Sequence, residues 1–177
     1  FHYSHATEVL GFLVARIEGK PLGQVLKERI FDPLGMKDTG FWVPPEKRDR
    51  MAKLYEAPPE GPLKDVSIPH GDTPPAFEGG GGGLVSTADD YLKFARMMLG
   101  RGEVDGVRLV KPETVDLMMQ NRLTEEQRGH GFLGMPFWLS QGFGLGVSMI
   151  LDAEQHQWMG AGAAGAFGWP GAFGTWW

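Results

Sequence analysis

Apolar positions recur at helical spacing in the first part of the chain. They predict an amphipathic helix over residues 7–17, because four of them follow one another at i, i+3, i+4 and i+7: Leu10, Leu13, Val14 and Ile17. A similar pattern predicts a second helix over residues 22–31, which Pro33 and Gly35 should end. The chain therefore begins with two short helices.

A third helix has the clearest start signal. Ser86 or Thr87 should cap its free N–H groups, and the acidic residues that follow suit the positive end of the helix dipole. Gly100 should end it, and five side chains are expected on its buried face: Tyr91, Phe94, Ala95, Met98 and Leu99. A fourth helix should begin at Pro112, with three residues facing inward: Val115, Met118 and Met119.

After about residue 136 the pattern changes from helix to strand. Short strands are predicted at five places: 137–139, 143–151, around Trp158, 166–169 and 173–177. Glycine occupies every second position from 142 to 146, which leaves one strand face bare so that another group can lie close to it. The sequence thus predicts a mainly helical, loop-rich region over 1–135 and antiparallel strands over 136–177, an α+β chain.

The segment 40–85 is rich in proline and ends in five consecutive glycines, 79–83. Long loops of this kind often form binding surfaces or lids, and the alternative is a linker between two domains. Apolar residues stay interspersed along the segment, which favours the first interpretation. A phosphate-binding loop at 79–83 is disfavoured, because no lysine follows it at the required place.

Composition excludes several classes of function. The 177 residues carry a formal net charge of −5 and no basic stripe, so nucleic acid is not an expected partner. Without cysteine there is no disulfide, thiolate nucleophile or cysteine-ligated zinc. No apolar run approaches the length of a membrane span. The chain begins with Phe1 rather than methionine and stops at Trp177 inside an apolar aromatic run, which predicts an internal piece of a longer protein. The compartment and the oligomeric state stay open.

Self-contained catalytic signatures are absent from the sequence. It contains no G-x-S-x-G elbow, no H-E-x-x-H, no Walker loop and no S-x-x-K. The five histidines are scattered apart from His2 and His5, and this pair is interpreted as incidental. No metal site and no organic cofactor are therefore predicted.

Four stretches nevertheless resemble one known superfamily, in order and over nearly the whole chain. They are YSH at 3–5 with ERIFDPLGMKDTGF at 28–41, GGGGLVSTADDY at 80–91, GFGLG at 142–146 and GWPGAFGT at 168–175. Together they resemble the serine β-lactamase-like superfamily, and more narrowly the class C β-lactamases and family VIII carboxylesterases. The resemblance implies an incomplete β-lactamase/penicillin-binding-protein-like fold.

The superfamily carries three active-site motifs, of which this chain holds the second and third. The first motif, S-x-x-K, supplies the nucleophilic serine and its lysine; it is expected upstream, so the 177 residues alone are expected to be inactive. The resemblance makes Tyr3 the general base of the second motif. It also places the backbone N–H of Ala172 as one oxyanion donor, the other being that of the upstream serine.

Two departures from the motifs bear on the substrate. His5 stands where β-lactamases have an asparagine that contacts the substrate amide. Trp169 replaces the lysine or histidine of the third motif, which removes the partner of a substrate carboxylate. Gly171 lets the strand approach the substrate. The resemblance therefore assigns substrate binding to His5, Trp169 and Gly171, with a preference for neutral esters.

The resulting hypothesis is a serine hydrolase that cleaves small carboxylic esters through an acyl-enzyme. Two alternatives stay open at this point. One keeps the fold and changes the substrate to β-lactams or D-Ala-D-Ala peptides. The other is a non-catalytic module that retains the penicillin-binding fold.

Overall fold

A computed structural model describes residues 4–132, 134–157 and 163–171. The described residues fall into two compact units, one that runs to Lys93 and one that begins at Phe94. The strands predicted around Trp158 and over 173–177 lie outside the described residues. The predicted division of the chain into a mainly helical region over 1–135 and antiparallel strands over 136–177 stays a prediction.

The first unit opens with the predicted amphipathic helix, α1 (Ala6–Glu18). It ends at Gly19, whose φ of 66° is the left-handed conformation that glycine adopts without strain. Gly11 is the residue of α1 that is buried, whereas several apolar side chains of the helix are exposed: Val9, Leu10, Phe12, Leu13 and Ile17. The contact face of α1 within this unit is therefore its small-residue side.

The second predicted helix is longer than expected and irregular in its middle. It runs from α2 (Leu22–Leu26) through a π-helical turn (Lys27–Phe31) into α3 (Asp32–Leu34). Gly35 ends it with φ 66°, as predicted, but Pro33 lies inside the last turn and the expectation that it stops the helix is wrong. Proline clashes with the carbonyl four residues earlier in a regular α-helix, and the widened turn lies where that carbonyl would be.

The segment 40–85 leaves the first unit and returns to it at the same place. Gly40 and Val85 exchange both backbone hydrogen bonds, at 3.0 and 2.8 Å. Between them lie a 3₁₀-helix (Pro45–Arg50) and a hairpin of β1 (Tyr55–Glu56) with β2 (Lys64–Asp65). Because the whole segment belongs to one unit, the linker alternative is wrong.

The third helix, α4 (Ala88–Leu99), is capped by Thr87, whose hydroxyl accepts a hydrogen bond from the Asp90 N–H at 3.2 Å. Asp90 is buried and fixes the start of α4 to the preceding segment. Its carboxylate accepts from the Asp38 backbone N–H at 2.7 Å and from Lys93 Nζ at 2.9 Å. The end of α3 and the start of α4 are thereby joined through one buried carboxylate.

Asp38 is itself held by two cations, Lys47 at 2.6 Å and Arg50 at 2.9 Å. Their hydrogen bonds lower the pKa of Asp38 from 3.8 to about 2. A carboxyl group whose pKa is lower in the folded than in the unfolded protein stabilises the fold at pH values above its unfolded-state pKa. This stabilisation is lost as the pH falls through its folded-state pKa. We expect the melting temperature of Asp38→Asn to lie below that of the wild type at pH 6 and to converge with it near pH 2.

The matched control is Asp72→Asn, because Asp72 is 95% exposed and pairs with one cation, Arg48. Its melting temperature should follow the wild type across the whole pH range, since an exposed pair of this kind contributes little. A difference between wild type and Asp38→Asn that stays constant from pH 6 to pH 2 would contradict the assignment.

In the second unit, Met97 and Met98 of α4 are buried, whereas Leu99 is 71% exposed and its prediction as a core residue is wrong. Leu99 is the last residue of α4 and lies on its exposed side. A tight hairpin of β3 (Glu103–Val104) with β4 (Val107–Arg108) follows. Then α5 (Pro112–Met118) begins at the predicted proline and buries Val115. A short helix, α6 (Glu125–Arg128), carries a complete capping box made by Thr124 and Gln127.

The sheet of the second unit has three antiparallel strands in the order β5–β6–β7. They are β5 (Gln141–Phe143), β6 (Ser148–Ile150) and β7 (Phe167–Gly168). The continuous strand predicted over 143–151 is instead β6 and the hairpin that joins it to β5, because Gly146 takes φ 85° and turns the chain. The strand predicted over 137–139 is wrong: Phe137–Leu139 is a 3₁₀-helix that follows Pro136.

The bare glycine face of β5 is confirmed, and a segment of the protein covers it. A Cβ on Gly142 would lie 2.6 Å from the Asn121 side chain, and one on Gly144 would overlap the Met118 carbonyl. Asn121 also accepts hydrogen bonds from the Leu123 and Phe143 N–H groups, at 3.0 and 3.2 Å. Gly142 and Gly144 therefore serve internal packing, whereas Gly146 serves the turn.

None of the helices in the described residues combines the length and the apolar character that crossing a membrane requires.

Candidate active site

Of the second-motif residues, the structure describes Ser4 and His5, which precede α1. Tyr3, the predicted general base, lies outside the described residues. His5 precedes α1 as its N-cap residue and is exposed; its side chain makes no capping hydrogen bond, and its carbonyl accepts from Val9 N–H at 3.1 Å. The imidazole of His5 is therefore accessible from solvent in this unit, as a substrate-contacting residue must be.

The glycine run 79–83 packs against the first two turns of α1. A Cβ on Gly80 would overlap the Thr7 carbonyl oxygen and lie 2.8 Å from both Cα and N of Gly11. Backbone can approach backbone this closely only where both residues lack side chains. Sequence analysis did not identify Gly11, although a glycine inside a helical pattern opposite a glycine run is the available signal.

The side chain of Glu8, a residue of α1, faces the glycine run. A Cβ on Gly79 or Gly81 would come within 2.9 or 2.8 Å of its carboxylate. The Oε2 atom of Glu8 is buried and has no hydrogen-bond partner among the described residues. A neighbouring cavity of about 240 Å³ has a mostly apolar lining that includes Leu10, Val14 and Leu84. The glycine run thus forms one wall of an apolar cavity beside the helix that follows the second motif.

The third motif follows β7 directly. Gly168 pairs with Ser148 across β6 and β7, and the Ser148 hydroxyl donates to the Gly168 carbonyl at 2.8 Å. Trp169 and Gly171, both predicted substrate-binding residues, come next in the chain and are half-buried. Ala172, the predicted oxyanion donor, lies outside the described residues. The sheet therefore fixes where the third motif begins.

The Trp169 indole belongs to an aromatic cluster built by the segment 132–143. Its ring centroid lies 5.1 Å from Phe143, 5.7 Å from Phe137 and 6.1 Å from Trp138, with the two indoles stacked. Phe137 and Trp138 are fully buried and anchor the cluster. Aromatic pairs at these distances add about 0.5–1.5 kcal/mol each beyond area burial. Trp169 is thus rigidly placed, with one part of its surface still accessible.

A serine–histidine pair occurs elsewhere in the second unit. The Ser140 hydroxyl and His156 Nδ1 are 3.2 Å apart. Ser140 is 0% exposed, and its carbonyl accepts from Leu151 and Asp152 N–H groups, so the pair fastens the turn after β6 to the sheet. A serine without access to substrate cannot act as a nucleophile.

Tyr91 is chemically unsuited to act as a general base. Burial raises the pKa of Tyr91 to about 12, so its phenol stays protonated at neutral pH. A general base must have a pKa near the working pH. Tyr91 therefore does not compete with Tyr3 for that role.

In the part of the chain that the structure describes, no group of three or more histidine, aspartate or glutamate side chains is arranged to hold a metal ion.

Comparison with known proteins identifies the family of the chain. A sequence profile of the family described as Beta-lactamase matches residues 1–177. Protein Rv1367c of Mycobacterium tuberculosis is 52% identical over 99% of this chain and 44% of its own length. The lovastatin esterase of Penicillium rubens is 33% identical over 70% of this chain and 31% of its own length.

Solved structures show the same fold. The structure described as EstCE1, a hydrolase with promiscuous acyltransferase activity, superposes on 100% of this chain and 47% of its own with a TM-score of 0.74 and 26% identity. The chain thus spans about half the length of these relatives, or less. With a family match over its full length and the predicted α+β fold confirmed, the chain belongs to the β-lactamase family of serine hydrolases and their relatives.

Proposed function

We propose that the full-length protein hydrolyses small neutral carboxylic esters through an acyl-enzyme. The observation that carries this proposal is the environment of Trp169. The third-motif position holds an uncharged indole packed among aromatic rings, where a β-lactamase needs a cation for the substrate carboxylate. The esterases among the similar proteins support the same substrate class.

In the proposed mechanism the nucleophile is a serine of an S-x-x-K motif, which the 177 residues do not contain. Its Oγ forms a bond to the ester carbonyl carbon as its proton passes to the Tyr3 phenolate, whose pKa the motif lysine lowers. The carbonyl oxygen becomes an oxyanion held by the Ala172 N–H and the serine N–H. Collapse breaks the bond to the alcohol, which leaves with the proton from Tyr3.

Hydrolysis of the acyl-enzyme repeats these steps with water. Tyr3 accepts a proton from water as the water oxygen attacks the acyl carbon. The bond between the acyl carbon and the serine Oγ then breaks, and Tyr3 returns the proton to Oγ. An alcohol in place of water gives a new ester by the same steps. Acyl transfer is therefore a second candidate activity, and the acyltransferase activity in the description of EstCE1 favours it.

The substrate preference is tested on the full-length protein with a short-chain p-nitrophenyl ester and a chromogenic cephalosporin. We expect kcat/KM for the ester to exceed that for the cephalosporin at least about 10-fold, because a lost charge-assisted contact costs about 1.5–3 kcal/mol. Cephalosporin turnover without ester turnover would overturn the proposal in favour of the β-lactamase alternative.

The role of Trp169 is tested by replacing the indole with a cation. We expect Trp169→Lys to raise the ratio of cephalosporin to ester kcat/KM about 10-fold relative to Trp169→Gln. The glutamine variant is the matched control, since it loses the same aromatic packing and has a similar length without charge. Equal ratios in the two variants would show that position 169 does not face the substrate carboxylate.

The non-catalytic alternative has a direct test in the coding sequence of the full-length protein. We expect an S-x-x-K motif within about one domain's length before residue 1, because the second and third motifs are present in order. A full-length sequence without that motif would overturn both enzymatic hypotheses.

A further inference from the structure

The first unit contains a cavity of about 450 Å³, within the size range of small-molecule sites. It lies among the chain that follows α3, the 3₁₀-helix Pro45–Arg50 and the residues that lead into α4. None of the described residues predicted for the active site, His5, Trp169 or Gly171, lines it. The cavity therefore needs an explanation of its own.

One part of the lining is apolar and held in place. Trp42, Met51 and Val85 contribute to it. The Trp42 indole N–H donates to the Gly71 carbonyl at 3.0 Å, which fixes the ring, and Val85 is fixed by its paired backbone bonds to Gly40. A preformed apolar wall of this kind suits the hydrocarbon part of a ligand.

The other part of the lining is positively charged. Lys37, Lys47 and Arg50 contribute three cations, and Asp38 is the acidic residue among the lining side chains. Asp38 is already paired with Lys47 and Arg50, whereas Lys37 takes part in none of the ion pairs formed by the described residues.

Two carboxylates near the lining reduce the positive surplus without cancelling it. Asp49 and Asp90 both act on Arg50 electrostatically, and Asp90 is paired with Lys93. With Asp38 and Asp49 set against the three lining cations, one positive charge remains. The chain as a whole carries −5, so this local surplus opposes the overall charge.

The two hydroxyls that line the cavity are already engaged within the protein. Those of Thr39 and Ser86 are 2.7 Å apart and share one hydrogen bond. The Thr39 hydroxyl also has the Asp90 carboxylate as an acceptor at 3.2 Å, and the Ser86 hydroxyl has the Thr87 carbonyl at 3.4 Å. Recognition of an anion therefore depends on the lining cations.

We propose that this cavity binds an organic anion with an apolar body. Its carboxylate or phosphate group lies against Lys37 and Arg50, and its apolar part lies against Trp42 and Met51. The assignment rests on the cavity and its charge and is independent of the hydrolytic function proposed above.

Titration calorimetry of the full-length protein with sodium octanoate tests the site, with 1-octanol, octyl phosphate and inorganic phosphate as comparison ligands. We expect octanoate or octyl phosphate to bind at least about 10-fold more tightly than 1-octanol and inorganic phosphate. The reason is that 1-octanol lacks the anionic group and inorganic phosphate lacks the apolar chain. The tighter of the two anions identifies the head group. Octanol binding as tightly as both anions would overturn the proposal.

Variants locate the binding. Lys37→Gln and Arg50→Gln should each weaken the preferred anion about 5- to 10-fold, and Trp42→Phe should abolish the tryptophan fluorescence change that accompanies binding. Lys53→Gln is the matched control, because Lys53 pairs with Asp65 outside the cavity and its loss should leave the affinity unchanged. Unchanged affinity in both Lys37→Gln and Arg50→Gln would contradict the assignment. If Arg50→Gln fails to fold, Lys37→Gln still tests the proposal, because Lys37 takes part in none of the ion pairs formed by the described residues.

Discussion

Tyr3→Phe in the full-length protein is expected to lower kcat for p-nitrophenyl ester hydrolysis about 10²- to 10⁴-fold, with KM little changed. The phenolic oxygen is the group that the proposed mechanism uses to move the proton in both half-reactions, and general acid–base catalysis contributes effects of this size. Phenylalanine keeps the ring and removes only that oxygen. Steady-state kinetics over a range of ester concentrations separates kcat from KM.

Tyr91→Phe is the matched control, since it makes the same change at a phenol that burial keeps protonated. Its kcat should stay within about twofold of the wild type at a temperature well below the melting point of both variants. The general-base assignment would be wrong if Tyr3→Phe retained more than about a tenth of the wild-type kcat.

Gly80→Ala is expected to lower the free energy of unfolding by about 3 kcal/mol, at the upper end of overpacking effects. The added methyl group would overlap the Thr7 carbonyl and press on Gly11, and both neighbours are backbone atoms that cannot rotate away. Because Thr7 and Gly11 lie in the first two turns of α1, the second-motif helix must move. Ester hydrolysis should therefore fall together with stability, as measured by thermal melting and initial rates.

Gly82→Ala provides the comparison within the same glycine run. A Cβ at this position has nothing within 4 Å, so the stability should change by less than about 0.5 kcal/mol. Equal destabilisation by the two substitutions would show that the glycine run is needed for chain flexibility rather than for its close contact with α1.

Local sequence signals predicted two of the helices, α4 and α5, because each has its own start signal. The helix that begins at Ala88 has its threonine cap, and the one that begins at Pro112 has proline in the first turn. The Phe137–Leu139 segment was mistaken for a strand because three apolar residues in a row fit both periods. Tertiary packing around Trp138 decided the outcome there.

The candidate site was predictable only where a motif carries it. Trp169 was identified from the GWPGAFGT stretch, but the sequence did not show that its ring stacks on Trp138, since the two are 31 positions apart. The alternating glycines correctly predicted a close approach to β5, yet the group that approaches is Asn121. The anion-binding cavity has no motif, because two of its cations, Lys47 and Arg50, come together through their ion pairs with Asp38 in the folded chain.

The central claim is an acyl-enzyme on a serine of an S-x-x-K motif, and covalent labelling tests it most directly. The full-length protein is treated with a fluorophosphonate ester, and the modified residue is located by peptide mass spectrometry. The account predicts one phosphonylated residue, the serine of S-x-x-K, with loss of ester hydrolysis in proportion to labelling. Labelling at one of the five serines of the present chain, or full ester hydrolysis in protein that the reagent does not modify, would contradict it.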